Sequence, residues 1–347
     1  MGKTMIFCSD GTWDEPGKDT NVYKIYKALI TNATQVPYYD DGVGSDGLLI
    51  QKLTGGAFGL GLYQKIKDGY TKLAHAYEAG DQVFLFGFSR GAYTARSLAG
   101  MIAVCGLPTE DFSDDAVDTA FNAYRNKDQR TELLAELNKN CEMFDAKINM
   151  VGVWDTVGSL GIPATFGGVS PLLYGFLDTG LHPDVLNAYQ ALAIDERRAE
   201  FPATLWTSPS PNQTVEQAWF CGVHCDVGGS YPADSNGSAL SDLTLGWMMS
   251  KAAKLGLQFD PAVLAKYNLP MDQKLALDTK HESWNVGWLF PKSRTIASNS
   301  TIADSVCARC EHDSTYRPAN LTFTDGQPAA SYTKAQVISQ AVLKAGG

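Results

Sequence analysis

The chain has 347 residues, of which 44% are hydrophobic and 19% charged, as in a globular protein with a large apolar core. Its formal net charge of −10 argues against nucleic acid as a partner and against simple electrostatic attraction to anionic lipid. No segment approaches the roughly 20 consecutive apolar residues of a membrane span. The first residues lack a signal peptide's apolar region and cleavage site, so we expect synthesis in the cytoplasm and any export without a cleaved signal.

The first elements predict a parallel α/β arrangement. Residues 4–8 form an apolar strand that ends at Asp10 and Gly11, and such polar strand ends gather at the carboxyl edge of a sheet. Residues 21–29 predict a helix, 36–39 a second strand, and 63–78 a further amphipathic helix. The glycine-rich residues 54–61 lack the pattern of a nucleotide-binding loop, and we interpret them as a loop that lines a site.

The most informative stretch is residues 83–102. An apolar strand is followed by Gly-Phe-Ser-Arg-Gly-Ala at 87–92 and then by strong helix formers. Gly-x-Ser-x-Gly between a strand and a helix predicts a nucleophile elbow, in which Ser89 occupies a strained turn with its hydroxyl exposed. The backbone N–H of Arg90 would then face a developing oxyanion, and a second donor would come from Gly11 or Thr12.

The chain after this helix supplies candidates for the other catalytic groups. A charged helical insertion is predicted near 109–140, followed by a strand over 147–154 that ends at Asp155. Residues 192–198 are interpreted as the end of a helix. Residues 215–223 predict a strand that ends at His224, and residues 241–255 predict a helix. The order serine, acid, histidine is that of the α/β hydrolases.

Two histidines compete for the role of catalytic base. His224 directly follows a strand and precedes a glycine-rich turn, whereas His312 has the late position at which many α/β hydrolases carry their histidine. We expect His224 to be the base and Asp155 to orient it, with His312 and Asp226 in reserve. His312 lies within residues 285–347, a segment predicted to be irregular.

An apolar stretch near 160–185 is rich in glycine and proline, and it predicts either a core-packing loop or a lid beside the site. The residues expected to contact substrate are aromatic or aliphatic: Phe88, Trp13, Phe166, Leu172 and Tyr174.

The seven cysteines are an odd count and predict no complete disulfide framework. Four of them form a C-x₃-C pair and a C-x₂-C pair, namely Cys221, Cys225, Cys307 and Cys310, spacings that a structural zinc site can use. Free thiols are the favoured interpretation because C-x₂-C alone is a weak signal, so we expect no metal and no cofactor.

Six segments of the sequence resemble the catalytic-domain family of type VI secretion phospholipase effectors, at residues 9–13, 87–92, 153–158, 193–198, 219–229 and 241–248. The resemblance implies one α/β-hydrolase domain, with a mostly parallel sheet, flanking helices and a cap formed by the insertions. It also implies a triad of Ser89, Asp155 and His224 that hydrolyses lipid or phospholipid acyl esters.

The partners implied are a lipid or small ester substrate, a membrane surface contacted transiently, and a secretion-apparatus or immunity protein. Two alternatives remain open at this point: an esterase for small soluble or sugar-linked esters on the same core, and a catalytically silent binding module.

Overall fold

Eight parallel strands form the central sheet of the chain, in the order β12-β9-β8-β7-β6-β3-β1-β2. The computed structural model describes residues 2–11, 20–41, 56–109, 112–157, 180–199, 201–207, 209–267, 275–283 and 291–337. The strands of the sheet are β1 (Thr4–Ser9), β2 (Gln35–Asp40), β3 (Gln82–Phe88), β6 (Ile148–Trp154), β7 (Asn187–Ala193), β8 (Thr214–Phe220), β9 (Thr301–Ala303) and β12 (Thr333–Ala335). The predicted parallel α/β fold is confirmed.

Helices cover both faces of this sheet, and two short antiparallel strand pairs lie outside it. The helices are α1 (Asn21–Ala28), α2 (Gly56–Ala74), α3 (Ser89–Cys105), α4 (Asp114–Arg125), α5 (Arg130–Asn140), α6 (His224–Gly228), α7 (Ser241–Lys254), α8 (Pro261–Tyr267) and α9 (Asp304–His312). These pairs join β4 (Leu107–Pro108) to β5 (Met143–Phe144), and β10 (Phe323–Thr324) to β11 (Gln327–Pro328). In the described part of the chain, no helix combines the length and apolar character that crossing a membrane requires.

The central strands are buried on both faces because successive side chains enter two different cores. In β3, Phe84 and Phe86 face the core under α1 and α7, whereas Val83 and Leu85 face the core under α2 and α3. Strands buried on both faces are apolar without alternation, which explains why β3 is recognisable as an apolar run.

The sheet has a topological switch between β1 and β3. The chain runs from β1 to β2 on one side, whereas β3, β6, β7 and β8 are added in turn on the other. In open parallel sheets the crevice at the carboxyl ends of the strands beside such a switch is the usual ligand site. The residues that follow β1, β3 and β6 therefore share one edge, where Ser9 is level with Gly87 and Phe88 with Trp154.

Three predicted elements differ from the structure. Residues 192–198, interpreted as the end of a helix, are instead the last two residues of β7 and an irregular segment that follows it. Strand β7 is buried between β6 and β8, and its alanine-rich sequence shows no strand periodicity. The segment 285–347 is not irregular throughout, since it supplies β9, α9 and β12. From Gly56 onward the glycine-rich stretch is the start of α2 rather than a loop, because the helix extends from its well-packed second half.

The helical insertion lies outside the first layer of helices. Helices α4 and α5 pack on each other, and α4 also contacts α2 and α3. Most of the insertion predicted near 160–185 falls outside the described residues.

Candidate active site

Ser89 occupies a sharp turn between β3 and α3. Its φ of 57° lies in the left-handed region, which a residue with a side chain rarely adopts unless the surroundings impose it. The turn is tight enough that a Cβ on Gly91 would stand 2.1 Å from the Ser9 carbonyl oxygen, and one on Gly87 2.3 Å from that of Gly91. Glycine is therefore required at both positions, and the serine is held at the first residue of a helix.

Asp155 and His224 meet at the same edge of the sheet. Asp155 directly follows β6 with a φ of 41°, and its Oδ2 lies 2.6 Å from Nδ1 of His224, the first residue of α6. The imidazole is buried between two aromatic rings, with centroid distances of 4.6 Å to Phe88 and 5.0 Å to Phe201. Phe88 immediately precedes Ser89, so the strand that carries the serine also packs on the histidine.

Arg294 neutralises the carboxylate of Asp155, and sequence analysis missed it. Its Nη1 donates to Oδ1 at 2.6 Å and its Nη2 to Oδ2 at 2.9 Å, while the backbone N–H of Ala193 donates to Oδ1 at 3.0 Å. The guanidinium also donates to the carbonyl of Phe201. Burial alone would raise the pKa of Asp155, but Arg294 and the contact with His224 outweigh it and hold this pKa well below its usual range.

The pKa of His224 is lowered. Burial disfavours the imidazolium and has the largest effect, and the contact with Asp155 opposes it only in part. Because Arg294 already compensates the charge of Asp155, the aspartate has less power to stabilise a protonated histidine. The imidazole is consequently neutral near pH 7, with Nδ1 held by the aspartate and Nε2 left as the basic nitrogen.

A second buried ion pair supports the backbone of His224. Oε2 of Glu196 accepts from the backbone N–H of His224 at 3.2 Å, and Arg198 donates to both oxygens of Glu196 at 2.9 and 2.7 Å. The Arg198 guanidinium lies 3.6 Å from the ring centroid of Phe201, the same ring that packs on the histidine. These residues belong to the segment interpreted as a helix end, and their role in holding α6 was not predicted.

The loop after β1 approaches Ser89 from the other side of the switch. The carboxylate of Asp10 is buried and accepts from Thr20 Oγ1 at 2.5 Å, Tyr39 Oη at 2.7 Å and the Gly11 backbone N–H at 2.8 Å. Burial raises its pKa to about 6 despite these bonds. The Gly11 N–H therefore already has an acceptor, and Thr12, the other candidate donor, lies outside the described residues.

A family model for the T6SS phospholipase effector, Tle1-like, catalytic domain matches residues 3–251. The chain belongs to this family. The resemblance seen in the six sequence segments is confirmed. The family match includes the strand ends that carry Ser89, Asp155 and His224, and it ends before Arg294.

Two relatives extend the comparison. An uncharacterized protein from Saccharomyces cerevisiae is 32% identical over 237 residues, which covers 60% of this chain and 33% of that protein. The crystal structure of an uncharacterized protein from Pseudomonas aeruginosa is similar over 81% of this chain and 51% of its own, with 18% identity and a TM-score of 0.47. This family member thus spans only about a third to a half of the relatives it matches.

The reserve residues of the family member lie in other arrangements. Asp226 bonds not to His224 but to His281, with 2.6 Å between its Oδ1 and Nδ1, and the His281 ring stacks on Tyr231 at a centroid distance of 3.8 Å. This second aspartate–histidine pair had no sequence signal beyond the presence of the two residues. His312 is the last residue of α9 and is exposed.

The cysteines and the predicted substrate contacts are the remaining residues to compare with the structure. All seven cysteines are free thiols, and no group of three or more histidine, cysteine or acidic side chains within the described ranges is arranged to hold a metal ion. Cys221 is buried after β8, whereas Cys307 and Cys310 lie on α9. The substrate contacts expected from Trp13, Phe166, Leu172 and Tyr174 fall outside the described residues, and Phe88 packs on His224.

Proposed function

We propose that this chain is a serine hydrolase that cleaves acyl esters of lipids, phospholipids first among them. Ser89 is the nucleophile, His224 the general base and Asp155 the residue that orients it. The observation that supports this most is the 2.6 Å contact between Asp155 and His224, at the sheet edge where Ser89 stands in a strained turn. The two residues follow different strands, β6 and β8, yet they meet at the sheet edge that carries Ser89, which is the arrangement that a triad requires.

The reaction would proceed in two steps. Ser89 Oγ attacks the ester carbonyl carbon while His224 Nε2 takes the hydroxyl proton, and the tetrahedral intermediate collapses as the protonated histidine returns that proton to the departing alcohol. Water then attacks the acyl-enzyme with the same base, which releases the fatty acid and restores Ser89. The lowered pKa of His224 suits this role, since the base must be neutral before each attack.

The oxyanion would be held by backbone N–H groups. We propose the backbone N–H of Arg90 as one donor, because Arg90 is the second residue of α3 and a helix N-terminus favours negative charge. From the loop after β1 we propose Thr12 rather than Gly11, because the Gly11 N–H donates to Asp10. Each such donor contributes on the order of 3 kcal/mol to transition-state stabilisation.

The proposal of a lipid substrate is based on family membership and on the apolar sequence before residue 180. We propose that Phe88, Trp13, Phe166, Leu172 and Tyr174 contact the acyl chain. Transient binding to a membrane surface, delivery by a secretion apparatus and inhibition by an immunity protein are proposed from the same family description. Nucleic acid is not proposed as a partner, because the net charge is −10.

The test compares Ser89→Ala, His224→Ala and the control His312→Ala on phosphatidylcholine vesicles and on p-nitrophenyl esters of short and long chains. We expect Ser89→Ala and His224→Ala each to lose on the order of 10⁴-fold or more in kcat, and the double variant to be scarcely worse. His312→Ala should retain most activity. Hydrolysis of soluble short esters alone would favour a small-ester esterase instead. If a fluorophosphonate probe fails to label Ser89 in the wild-type chain, the serine-hydrolase proposal is wrong.

A further inference from the structure

A cavity of about 250 Å³ lies on the face of the sheet that α2 and α3 cover, apart from the triad. It is lined by α3, by the turn between α4 and α5, and by residues 180–183 and Val185 ahead of β7. Four basic side chains line it, Arg96, Lys127, Arg130 and His182, and among the described residues no carboxylate does. A lining with basic but no acidic side chains is unusual in a chain whose net charge is −10.

Arg96 is a buried cation with no counter-anion among the described residues. Only 4% of the residue is exposed. Its Nη1 donates to the Thr204 carbonyl at 2.5 Å, its Nη2 reaches the Leu205 carbonyl only at 3.5 Å, and its Nε has no acceptor within the described structure. The guanidinium lies 4.5 Å from the centroid of the Trp206 ring. Burial lowers the pKa of Arg96 to about 9, so the surroundings as they stand disfavour its charge.

The second arginine of the cavity is fixed by backbone carbonyls. Arg130 donates through Nε to Ala123 at 3.0 Å and through Nη2 to Tyr124 at 2.8 Å, both near the end of α4. Neither arginine forms an ion pair with a described carboxylate, whereas His182 lies 3.4 Å from Asp184. The two guanidinium groups are therefore pre-positioned donors, which lose little freedom when an anion binds.

The rest of the lining is apolar and determines what kind of anion fits. Val151, Leu181, Val185 and Trp206 form a wall that inorganic phosphate or sulfate would leave uncovered. A ligand with a charged head and a hydrocarbon chain would cover both surfaces, since apolar walls with a few placed polar groups are the usual composition of small-molecule sites. Arg96 lies two turns beyond Ser89 on α3, about 10 Å along the helix axis, so this cavity is not the catalytic crevice.

We propose that the cavity binds an amphipathic carboxylate of the medium-chain fatty acid class. The carboxylate is held by Arg96 and Arg130, and the chain lies against Trp206 and Leu181. Anion binding supplies the acceptor that Arg96 Nε lacks and compensates a guanidinium whose burial is otherwise unfavourable.

The test is calorimetric titration of sodium octanoate into the purified chain, with 1-octanol and inorganic phosphate as comparison ligands. We expect one octanoate per chain, and affinity at least about tenfold weaker for 1-octanol, because charged hydrogen bonds contribute most of the selectivity. Equal affinity for 1-octanol would mean an apolar cavity only, and equal or tighter binding of phosphate would mean a plain anion site. Either result overturns the proposal.

Arg96→Met separates this cavity from any acyl-binding surface near Ser89. We expect this variant to bind octanoate about tenfold or more weakly and to fold, because Thr204 O keeps its bond from Gln190 Nε2 at 3.1 Å and a buried cation is removed. The matched control is Arg125→Met, an arginine at the end of α4 that lies over the rings of Tyr63 and Phe121, outside the cavity.

The control should bind octanoate as the wild type does. If Arg96→Met is unstable, Arg130→Gln gives the same comparison. Undiminished octanoate binding in a folded variant of either arginine refutes the proposal. The readout is binding rather than turnover, so it is independent of whether the chain hydrolyses esters.

Discussion

Replacing Arg294 by methionine should affect both stability and the pH dependence of catalysis. Arg294 donates to both oxygens of Asp155, at 2.6 and 2.9 Å, and both side chains are almost fully buried. Removing one partner of a buried pair leaves an uncompensated charge and costs about 3–5 kcal/mol in the free energy of unfolding. The loss of a nearby positive charge also raises the pKa of His224, because Asp155 then stabilises the imidazolium more strongly.

The measurements are urea unfolding at pH 7 and the pH profile of kcat/KM on a p-nitrophenyl ester. A higher pKa of His224 means more protonated base at mildly acidic pH, so activity of Arg294→Met should fall below wild type near pH 6 and approach it in alkali. Arg294→Lys keeps the charge but not the bidentate geometry. Its activity near pH 6 should therefore lie between those of the wild type and Arg294→Met.

The control is Arg309→Met, whose buried guanidinium donates to the carbonyls of Ala276 and Asp278. The Arg309→Met variant should lose stability, but the acidic limb of its kcat/KM profile should stay where it is in the wild type. An Arg294→Met enzyme with an unchanged acidic limb and an unchanged unfolding free energy would show that the arginine does not act on Asp155 as argued.

Three further outcomes are expected. In the wild type the acidic limb of kcat/KM should have its midpoint below the ordinary histidine value of about 6.5, because burial lowers the pKa of His224; a midpoint above that value contradicts the assignment. Gly91→Ala should sharply reduce activity and lower the melting temperature, because its Cβ would stand 2.1 Å from Ser9 O, and normal values for both would rule out the tight turn. Asp10 has its pKa raised to about 6, so the folded chain binds a proton there more tightly than the unfolded chain does, and the contribution of Asp10 to stability should fall as pH rises from about 4 to 6. The fall amounts to about 3 kcal/mol, and Asp10→Asn should remove this contribution, as unfolding curves of both chains across this range would reveal.

The strand ends could be located from the sequence, because the central strands are apolar runs that stop at polar residues. That pattern gave β3 with Ser89, β6 with Asp155 and β8 with His224. It could not give the order of strands in the sheet, since parallel pairing depends on tertiary packing rather than on local periodicity. The contact between Asp155 and His224, two strands apart, therefore needed the structure.

The partner of Asp155 could not be found in the same way. Arg294 is 139 residues away along the chain and belongs to no helix or strand. Strands β9 and β12 have three residues each, too few to show an alternating pattern, so the C-terminal segment gave no sign that it completes the sheet. Strand β7 is long enough to show a pattern, but it was missed because a strand that is buried on both faces and rich in alanine resembles a helix.

The distance in sequence between Asp155 and Arg294 sets an order of assembly on the ribosome. At translation rates of about 5–20 residues per second, the arginine is made roughly 7 to 28 s after the aspartate. We infer that a growing chain carries its serine turn long before the carboxylate is neutralised and before β9 and β12 extend the sheet. Stalled nascent chains ending at residue 280 should resist labelling by a fluorophosphonate probe, whereas chains extending well past 337 should accept it; early labelling would refute the inference. Under the proposed function, a chain assembled in this order would reach full activity towards lipids only after almost all of its described fold has been synthesised.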